Sequence, residues 1–420
     1  MPADRPVGSV ILGGAALSLV PLLGQPNPGL AGFIAHTTGM LAGYGAAVML
    51  VLTSRAPGLE RRLGTGALIR WHALGGRIIV VLILAHAVGA TLAWLQIGGG
   101  LPGLVSMPGM LAAIFSVVLF LVVALSVVPW LRRRLSYERW HAVHLLTYVA
   151  IALGFVHQLA GPDLAGNRVA QVAWAQLYCL AFFLSLRYRF VEPLRQARRH
   201  RLVVDRVQRE SHDTVSIWLR GRHLSELAPR PGQFFRWRFL TAQTWMSAHP
   251  FSLSALPEGD RLRITVKALG AGSRRLHELE SGVRVLAEGP YGRAESGWRP
   301  TLLIAGGVGI TPLRALFEAH AVDGLPTTLL YRASSPGDVL FRSELDELAA
   351  RHHARVIYVL GPSGDPANAL TAAALTALLP DLLVHDVFVC ASPRLSAAVR
   401  ESLRAAGLPA RQLHDESLSF

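Results

Sequence analysis

Four histidines lie inside long apolar stretches in the first half of the chain, where an ionisable side chain is costly. His72 and His86 are 14 residues apart, and His144 and His157 are 13 residues apart. Ionisable residues within a membrane span are rare and by default mark a functional site. Because a helix rises about 1.5 Å per residue, each pair spreads its histidines over about 20 Å. Two such pairs at matching depths predict two iron porphyrins stacked across a bilayer, each held by imidazoles from both helices.

The composition divides the chain into an apolar half and a charged half. Only 16% of the residues are charged and 51% are hydrophobic. About 20 apolar residues are needed to cross the hydrocarbon core of a bilayer. The sequence predicts six such spans, at residues 7–23, 30–53, 71–96, 110–130, 141–160 and 170–190.

Arginines alternate between the loops that join these spans. The loops at 54–70 and 131–140 are rich in arginine, whereas those at 24–29 and 97–109 carry no charge. Basic loops stay in the cytoplasm, so the alternation predicts an integral protein of the plasma (inner) membrane with both termini cytoplasmic. The first span could instead be a signal peptide flanked by Arg5, but its removal would break the even number of spans.

The net charge of +14 does not indicate nucleic-acid binding in this chain. Much of the excess lies beside the predicted spans, where anionic lipid headgroups attract arginine. The lipid bilayer is therefore the expected partner of the basic segments, and nucleic acid is not. Two cysteines, Cys179 and Cys390, are too few for an iron–sulfur cluster or a disulfide framework.

Spans three and five run in the same direction, so their histidines pair by depth. His72 and His144 would hold an inner haem, and His86 and His157 an outer haem. Thirteen residues of ideal helix leave His157 about 140° out of phase with His144, which predicts a tightened or distorted turn near Gly154. Hydrogen bonding between helices is the alternative role for these histidines.

Two more polar side chains fall within the spans. His36 has no partner at a matching offset and is interpreted as structural. Arg77 lies five residues after His72, where it would either neutralise a haem propionate or extend toward the inner interface.

The segment from about 200 to 298 is rich in short strands. Patterns at 202–207, 214–219, 234–239 and 262–268 predict a small antiparallel barrel. The run His249-Pro250-Phe251-Ser252 lies within it. A later turn, Gly270-Ala271-Gly272-Ser273, precedes a helical stretch, and such a turn can offer backbone N–H groups to a pyrophosphate.

The last third predicts a parallel nucleotide-binding sheet. A buried strand at 301–305 leads into Gly306-Gly307-Val308-Gly309, after which Thr311 can cap a helix and Pro312 suits its first position. Strand, glycine loop and helix N-terminus form a phosphate cradle, although the GxGxxG spacing is absent. Arg332 follows the second strand, and no acidic residue ends that strand, which favours NADPH over NADH.

The combined pattern resembles the ferric reductase and NADPH oxidase superfamily over nearly the entire chain. The membrane histidines match the superfamily's pairs, including the unequal spacings. The resemblance implies that Ser252 hydrogen-bonds near flavin N5 and that His249 faces the diphosphate. The matching FAD positions are His249, Pro250, Phe251, Ser252, Gly270, Gly272 and Ser273. The matching NAD(P)H positions are Gly306, Gly307, Gly309, Thr311 and Pro312.

Two further segments are similar to parts of that superfamily. Cys390-Ala391-Ser392-Pro393 is similar to its Cys-Gly-Pro-type segment near the nicotinamide but departs from it after the cysteine. The terminal Phe420 looks like the aromatic end that covers the flavin in such reductases. The resemblance thus implies catalytic roles for Ser252, Cys390 and Phe420.

These expectations combine into a multidomain fold. A six-helix transmembrane haem domain is expected at 1–195, an antiparallel FAD-binding β-barrel at 196–298 and an α/β NAD(P)H-binding domain at 299–420.

The resemblance implies an enzyme that moves electrons from cytosolic NAD(P)H through FAD and two b haems to an extracytoplasmic acceptor. Oxygen (giving superoxide) and a ferric chelate are the expected small-molecule acceptors. One alternative is a haem-binding membrane subunit that serves a periplasmic protein partner. A more distant alternative is a transporter whose histidines relay protons.

Overall fold

The structure, a computed structural model, describes residues 4–23, 29–227, 233–291, 299–362 and 364–415. The chain separates into two compact units, Met1–Glu192 and Pro193–Phe420. The described secondary structure of the first unit is helical, and the second unit carries all the described strands. Phe420 lies outside the described residues.

Helices form the first unit because its segments are apolar and a helix satisfies backbone hydrogen bonds without water. Among the described residues, four helices have the length and composition to cross a membrane: Gly29–Leu52, Gly66–Gln96, Tyr137–Ala160 and Arg168–His200. In chain order the helices are α1 (Asp4–Ser18), α2 (Gly29–Leu52), α3 (Pro57–Leu63), α4 (Thr65–Gln96), α5 (Leu101–Val105), α6 (Met110–Ser126), α7 (Pro129–Arg132), α8 (Tyr137–Ala160) and α9 (Arg168–Leu186).

The six predicted spans correspond to six of these helices, but the helices differ in length. α1 and α6 are apolar and shorter than the other four. Local sequence explains where the longer ones begin. The Ser136 side chain accepts a hydrogen bond from the Arg139 N–H at the start of α8, and Asn167 accepts one from Ala170 at the start of α9.

Small residues bring the membrane helices close together. α2 lies along α4, and a Cβ added at Gly89 would lie 3.0 Å from the Ala31 carbonyl oxygen. α6 packs on α8, where Ser116 donates a 2.8 Å hydrogen bond to the Ala150 carbonyl. α8 is a continuous α-helix, so the distorted turn predicted at Gly154 is wrong. The missing side chain of Gly154 instead leaves room for Ser116 of α6, whose Oγ would lie 3.2 Å from an added Cβ.

Antiparallel sheets begin the second unit. Their strands are β1 (Val203–Arg209), β2 (Thr214–Arg220), β3 (Phe234–Phe239), β4 (His249–Ser252), β5 (Arg261–Lys267) and β6 (Val285–Tyr291). They form two three-stranded sheets in the orders β1-β2-β5 and β4-β3-β6. In β3, Phe235, Trp237 and Phe239 are fully buried, and arginines alternate with them. This alternation buries one face of the sheet in a core shared with the other sheet.

A five-stranded parallel sheet completes the second unit. Its strands are β7 (Thr301–Gly306), β8 (Thr327–Ala333), β9 (Arg355–Leu360), β10 (Asp386–Cys390) and β11 (Leu413–Asp415). Their order is β11-β10-β7-β8-β9. The remaining helices are α10 (Glu192–His200), α11 (Ala271–Arg275), α12 (Ile310–Val322), α13 (Arg342–His352), α14 (Ala372–Leu378) and α15 (Pro393–Ala405).

A network of ion pairs joins the antiparallel sheets to the parallel-sheet region. Arg263 of β5 donates two hydrogen bonds to the Glu344 carboxylate of α13, at 2.7 and 2.8 Å. Arg314 of α12 pairs with the same carboxylate at 3.0 Å and also with Glu318. Burial would raise the pKa of Glu344, but the hydrogen bonds and charges of Arg263 and Arg314 outweigh burial and hold that pKa below its usual value of 4.5.

We expect Glu344→Gln to destabilise the second unit, because Arg263 is only 3% exposed and would lose its anionic partner. The expected cost is about 1–3 kcal/mol, visible as a lower unfolding temperature of the detergent-solubilised full chain. The depressed pKa of Glu344 makes its contribution complete above pH 4.5 and lost as the pH falls through the lower native value. The variant should therefore lose less stability than the parent over that acidic range.

Glu347→Gln is the matched control, since Glu347 lies on the same helix and pairs with Arg351 at the surface. Its effect should stay within about 0.5 kcal/mol. Equal losses in the two variants would contradict a stabilising role for the buried network.

Candidate functional site

The four predicted histidines meet as two pairs between α4 and α8. The ring centroids of His72 and His144 are 5.8 Å apart, and those of His86 and His157 are 6.1 Å apart. A metal binds an imidazole nitrogen at about 2.0–2.1 Å, so each separation suits one metal atom between two facing rings. The unequal sequence spacings thus lead to similar geometry at both levels.

Only one of the four imidazoles has a hydrogen bond from Nδ1 in the described structure. His86 Nδ1 lies 2.8 Å from the Ala35 carbonyl oxygen of α2, and this bond directs Nε2 toward a ligand. The Nδ1 atoms of His72, His144 and His157 are buried and make no hydrogen bond within the described chain. Most buried polar atoms are paired, so three of the four rings have a nitrogen that hydrogen bonding between helices leaves unused.

A cavity of about 830 Å³ adjoins the outer pair, with His86 and His157 in its wall. Its lining is mainly apolar, and its volume is in the range of cofactor sites. His36 also lines the cavity and is paired with Asp163, Nδ1 to Oδ1 2.5 Å. Sequence patterns could not identify this partner, because Asp163 follows α8 and is remote from His36 along the chain.

The described residues include no group of three or more His, Cys, Asp or Glu side chains that could hold a metal ion. Two imidazoles would be sufficient to hold a haem iron, because the porphyrin supplies its remaining ligands. The residues present therefore fit haem at each pair.

The predicted flavin segments come together in the antiparallel sheets. His249 begins β4, and an added Cβ at Gly272 would lie 3.0 Å from its ring. Ser273 Oγ accepts hydrogen bonds from the N–H groups of Leu269 and Gly270, at 2.9 and 3.0 Å, and so folds the turn. The Ser273 hydroxyl is thus used to shape the backbone that would face a phosphate.

The surroundings of His249 favour the neutral form of its imidazole. Burial lowers its pKa, and the positive charge of Arg238 lowers it further. Its Nε2 is buried without a hydrogen bond in the described structure, and its ring stacks on Phe251 at 6.1 Å between centroids. A neutral imidazole with one unused nitrogen fits a hydrogen bond to FAD. The neighbouring positive charge belongs to Arg238, which the sequence motifs did not identify. The alternation of arginines with aromatic residues in β3 could have indicated it.

The glycine loop follows β7, whose neighbours are β8 on one side and β10 on the other. Ligands of open α/β sheets bind at the carboxyl ends of strands where the order reverses in this way. A Cβ at Gly309 would lie 1.9 Å from the Cys390 carbonyl oxygen, so the two predicted segments are in direct backbone contact. Tyr331, which the sequence analysis did not select, donates a 3.1 Å hydrogen bond to the Gly307 carbonyl.

Two corrections concern the surroundings of this loop, and the first is at the start of α12. α12 begins at Ile310, so Thr311 lies inside the helix and donates to the Val308 carbonyl at 2.7 Å instead of capping it. Pro312 accordingly lies within the first turn and not at its first position. Gly309, the last glycine of the loop, occupies the N-cap position and has no side chain to cap the helix.

Arg332 is the second correction. Its side chain is 7% exposed, and its Nη atoms donate to the backbone carbonyls of Ala333, Val359, Gly361 and Pro362. These bonds engage all four Nη hydrogens in holding the ends of β8 and β9 together. The prediction that Arg332 binds a 2′-phosphate is therefore not supported by its placement, and neither is the preference for NADPH.

Two predicted catalytic positions are described. Ser252 ends β4 and is half-buried, whereas Cys390 is fully buried at the end of β10. Cys390 lies opposite Ala305 in the register of β10 and β7. Arg77, the predicted propionate partner, is exposed and bonds through Nε to the Ala73 carbonyl of its own helix at 3.1 Å.

Family comparisons cover both units. A ferric reductase like transmembrane component matches residues 38–155, a FAD-binding domain matches 202–295, and an oxidoreductase NAD-binding domain matches 303–401. Ferredoxin--NADP reductase B of Sorangium cellulosum is 32% identical over 186 residues, which are 40% of this chain and 76% of that protein.

Two other similar proteins each match about half of this chain. The ferredoxin reductase component of the 3-ketosteroid-9-alpha-monooxygenase of Mycolicibacterium smegmatis is 34% identical over 196 residues, 44% of this chain and 54% of that protein. The chain thus spans about half of that relative. The FAD/NAD-binding domain of nitric oxide dioxygenase from Vibrio cholerae is a similar solved structure, with 24% identity, a TM-score of 0.44 and coverage of 52% of this chain and 97% of that one.

We expect Gly309→Ala to abolish flavin reduction by NAD(P)H, because the added methyl group collides with the Cys390 backbone and must displace the loop. Reduction of the same protein by dithionite should be unchanged. Gly337→Ala is the control, since its Cβ meets nothing closer than 3.8 Å. Normal NAD(P)H-dependent reduction in the Gly309 variant would contradict the assignment of the loop.

Proposed function

Because the chain belongs to the ferric reductase and NADPH oxidase superfamily, we propose that it is a complete transmembrane electron-transfer enzyme. It is an oxidoreductase with FAD- and NAD(P)-binding domains. Its first unit would form a six-span bundle that binds two b haems. Its antiparallel sheets would close into a FAD-binding barrel. Electrons would pass from cytosolic NAD(P)H to an acceptor outside the cytoplasm.

The two imidazole pairs are the observation that carries this proposal. Their centroid distances of 5.8 and 6.1 Å recur on the same two helices. When bound, NAD(P)H, FAD and haem supply the redox chemistry, and two haem sites divide a hydrocarbon core of about 30 Å into shorter steps. The protein's residues hold these groups and exclude water from them.

Each predicted site residue has a part in the proposal. His72 and His144 would hold the inner haem, and His86 and His157 the outer one. The segments His249–Ser252 and Gly270–Ser273 would bind FAD, with the hydroxyl of Ser252 directed to the flavin. The loop Gly306–Gly309 would bind the NAD(P)H diphosphate. Cys390 would lie beside the nicotinamide, and Phe420 would cover the flavin and move aside for hydride transfer.

A small electron acceptor suits the side of the helix bundle predicted to face away from the cytoplasm. The predicted outer loops, at 24–29, 97–109 and 161–169, are short in sequence. The cavity beside His86 and His157 is mainly apolar. Oxygen, giving superoxide, and a ferric chelate reduced at the protein surface are the two acceptors proposed. The second candidate is a membrane electron-transfer subunit that requires a periplasmic protein partner, in keeping with the reductase components among the relatives.

We expect His86→Ala to leave one haem per chain where the parent has two, because one of the outer pair's two ligands is gone. Flavin reduction by NAD(P)H should stay within about twofold, since it does not use the outer pair. The pyridine haemochrome assay measures the first quantity and stopped-flow absorbance the second. His141→Ala is the control on α8: His141 stacks on Tyr137 and should retain both haems. Two full haems in the His86 variant would refute the assignment.

The acceptor is tested with the purified parent chain alone. A complete enzyme should consume NAD(P)H steadily with oxygen or ferric citrate present. Superoxide is detected as dye reduction that superoxide dismutase abolishes, and ferrous iron is detected with a chelating dye. Haem reduction without turnover on either acceptor would instead favour the subunit that serves a protein partner.

A further inference from the structure

Arg189 is a basic side chain of the first unit held beside the inner histidine pair. It lies in a π-helical turn, Arg187–Val191, which directly follows α9. The Glu192 N–H bonds to the Arg187 carbonyl, five residues back. The sequence explains this local change, because Pro193 has no N–H to give to the Arg189 carbonyl four residues earlier. Single π-turns inside helices occur frequently at functional sites.

The Arg189 guanidinium is fixed by groups near the inner pair. Its Nη1 donates a 2.8 Å hydrogen bond to the Tyr148 hydroxyl and lies 3.5 Å from the Thr53 carbonyl oxygen. Tyr148 stands four residues after His144 on α8, so the two side chains share one face of that helix. Arg189 is also close enough to interact electrostatically with both His72 and His144.

We propose that Arg189 binds a propionate carboxylate of a haem held by His72 and His144. A planar guanidinium recognises a carboxylate with two parallel hydrogen bonds, and a haem b brings two carboxylates into an otherwise apolar bundle. Arginines within membrane segments are rare and mark functional sites by default. The inference rests on the proposed haem sites and adds a residue that the sequence patterns did not select.

Arg77 was the sequence candidate for this role, and the structure separates the two arginines. Arg77 is exposed and its Nε bonds to a carbonyl of its own helix. Arg189 is half-buried and is tied to the helix that carries His144. Arg77 therefore provides the matched control. It is an arginine of the same unit and lies near His72 in sequence, but its described hydrogen bond stays within its own helix.

The test compares Arg189→Gln, Arg189→Lys and Arg77→Gln in the detergent-solubilised full chain. Haem content and midpoint potentials are measured by spectroelectrochemical titration. A positive charge beside a haem favours its reduced form, so Arg189→Gln should shift one of the two midpoint potentials downward or release that haem alone. Arg189→Lys keeps the charge and should shift it less. Arg77→Gln should match the parent. Repeating the Arg189→Gln measurement in His86→Ala protein should show the shift on the remaining, inner haem.

The outcomes separate this inference from the proposed function. A parent protein without a Soret band would defeat the haem proposal itself. Two haems with parental potentials in Arg189→Gln would overturn the role of Arg189 and leave the haem proposal intact. Tyr148→Phe removes only the hydroxyl that positions the guanidinium, so it should lower the same midpoint potential by a smaller amount. This variant keeps Arg189 and therefore provides a second test should the Arg189 variants fail to fold.

Discussion

The first unit depends on keeping imidazoles among apolar helices, where water cannot satisfy them. A polar group transferred out of water without a hydrogen bond costs several kcal/mol. The Nδ1 atoms of His72, His144 and His157 have no hydrogen bond in the described structure, and a group bound to these rings would offset that cost. α2 supports this arrangement at the outer pair: its Ala35 carbonyl fixes His86, and a Cβ at Gly39 would lie 2.6 Å from the His86 ring. The small residues of α2 that allow it to approach α4 would therefore also position His86 in the proposed haem site.

The periodicity of the sequence was sufficient to pair the histidines by depth, because depth follows from the rise per residue. It was not sufficient to predict their rotation about the axis. The phase calculation required a distortion at Gly154, yet α8 is continuous and still brings His157 to His86. Ideal-helix phases ignore side-chain torsion and the direction in which neighbouring helices cross, and both are set by tertiary packing.

In the second unit, strands were predictable from alternation and glycine turns, whereas the use of charged side chains was not. Arg332 has the position expected of a phosphate ligand, but its Nη groups donate hydrogen bonds to backbone carbonyls. Arg263 and Glu344 are 81 residues apart in sequence and meet only in the folded unit. A guanidinium has several donors, and its partners depend on which carbonyls and carboxylates the fold leaves nearby. Residue type and strand position cannot specify that choice.

The neutral state of His249 bears on how the second unit would hold a dinucleotide. With its pKa lowered by burial and by Arg238, the imidazole can act as a hydrogen-bonding group but contributes no charge at pH 7. Attraction for a diphosphate must then come from Arg238 and from backbone N–H groups of the Gly270 turn, which Ser273 shapes. Protonation of His249 in the acidic range would place a second cation beside Arg238, so its neutral form is the one that the fold stabilises.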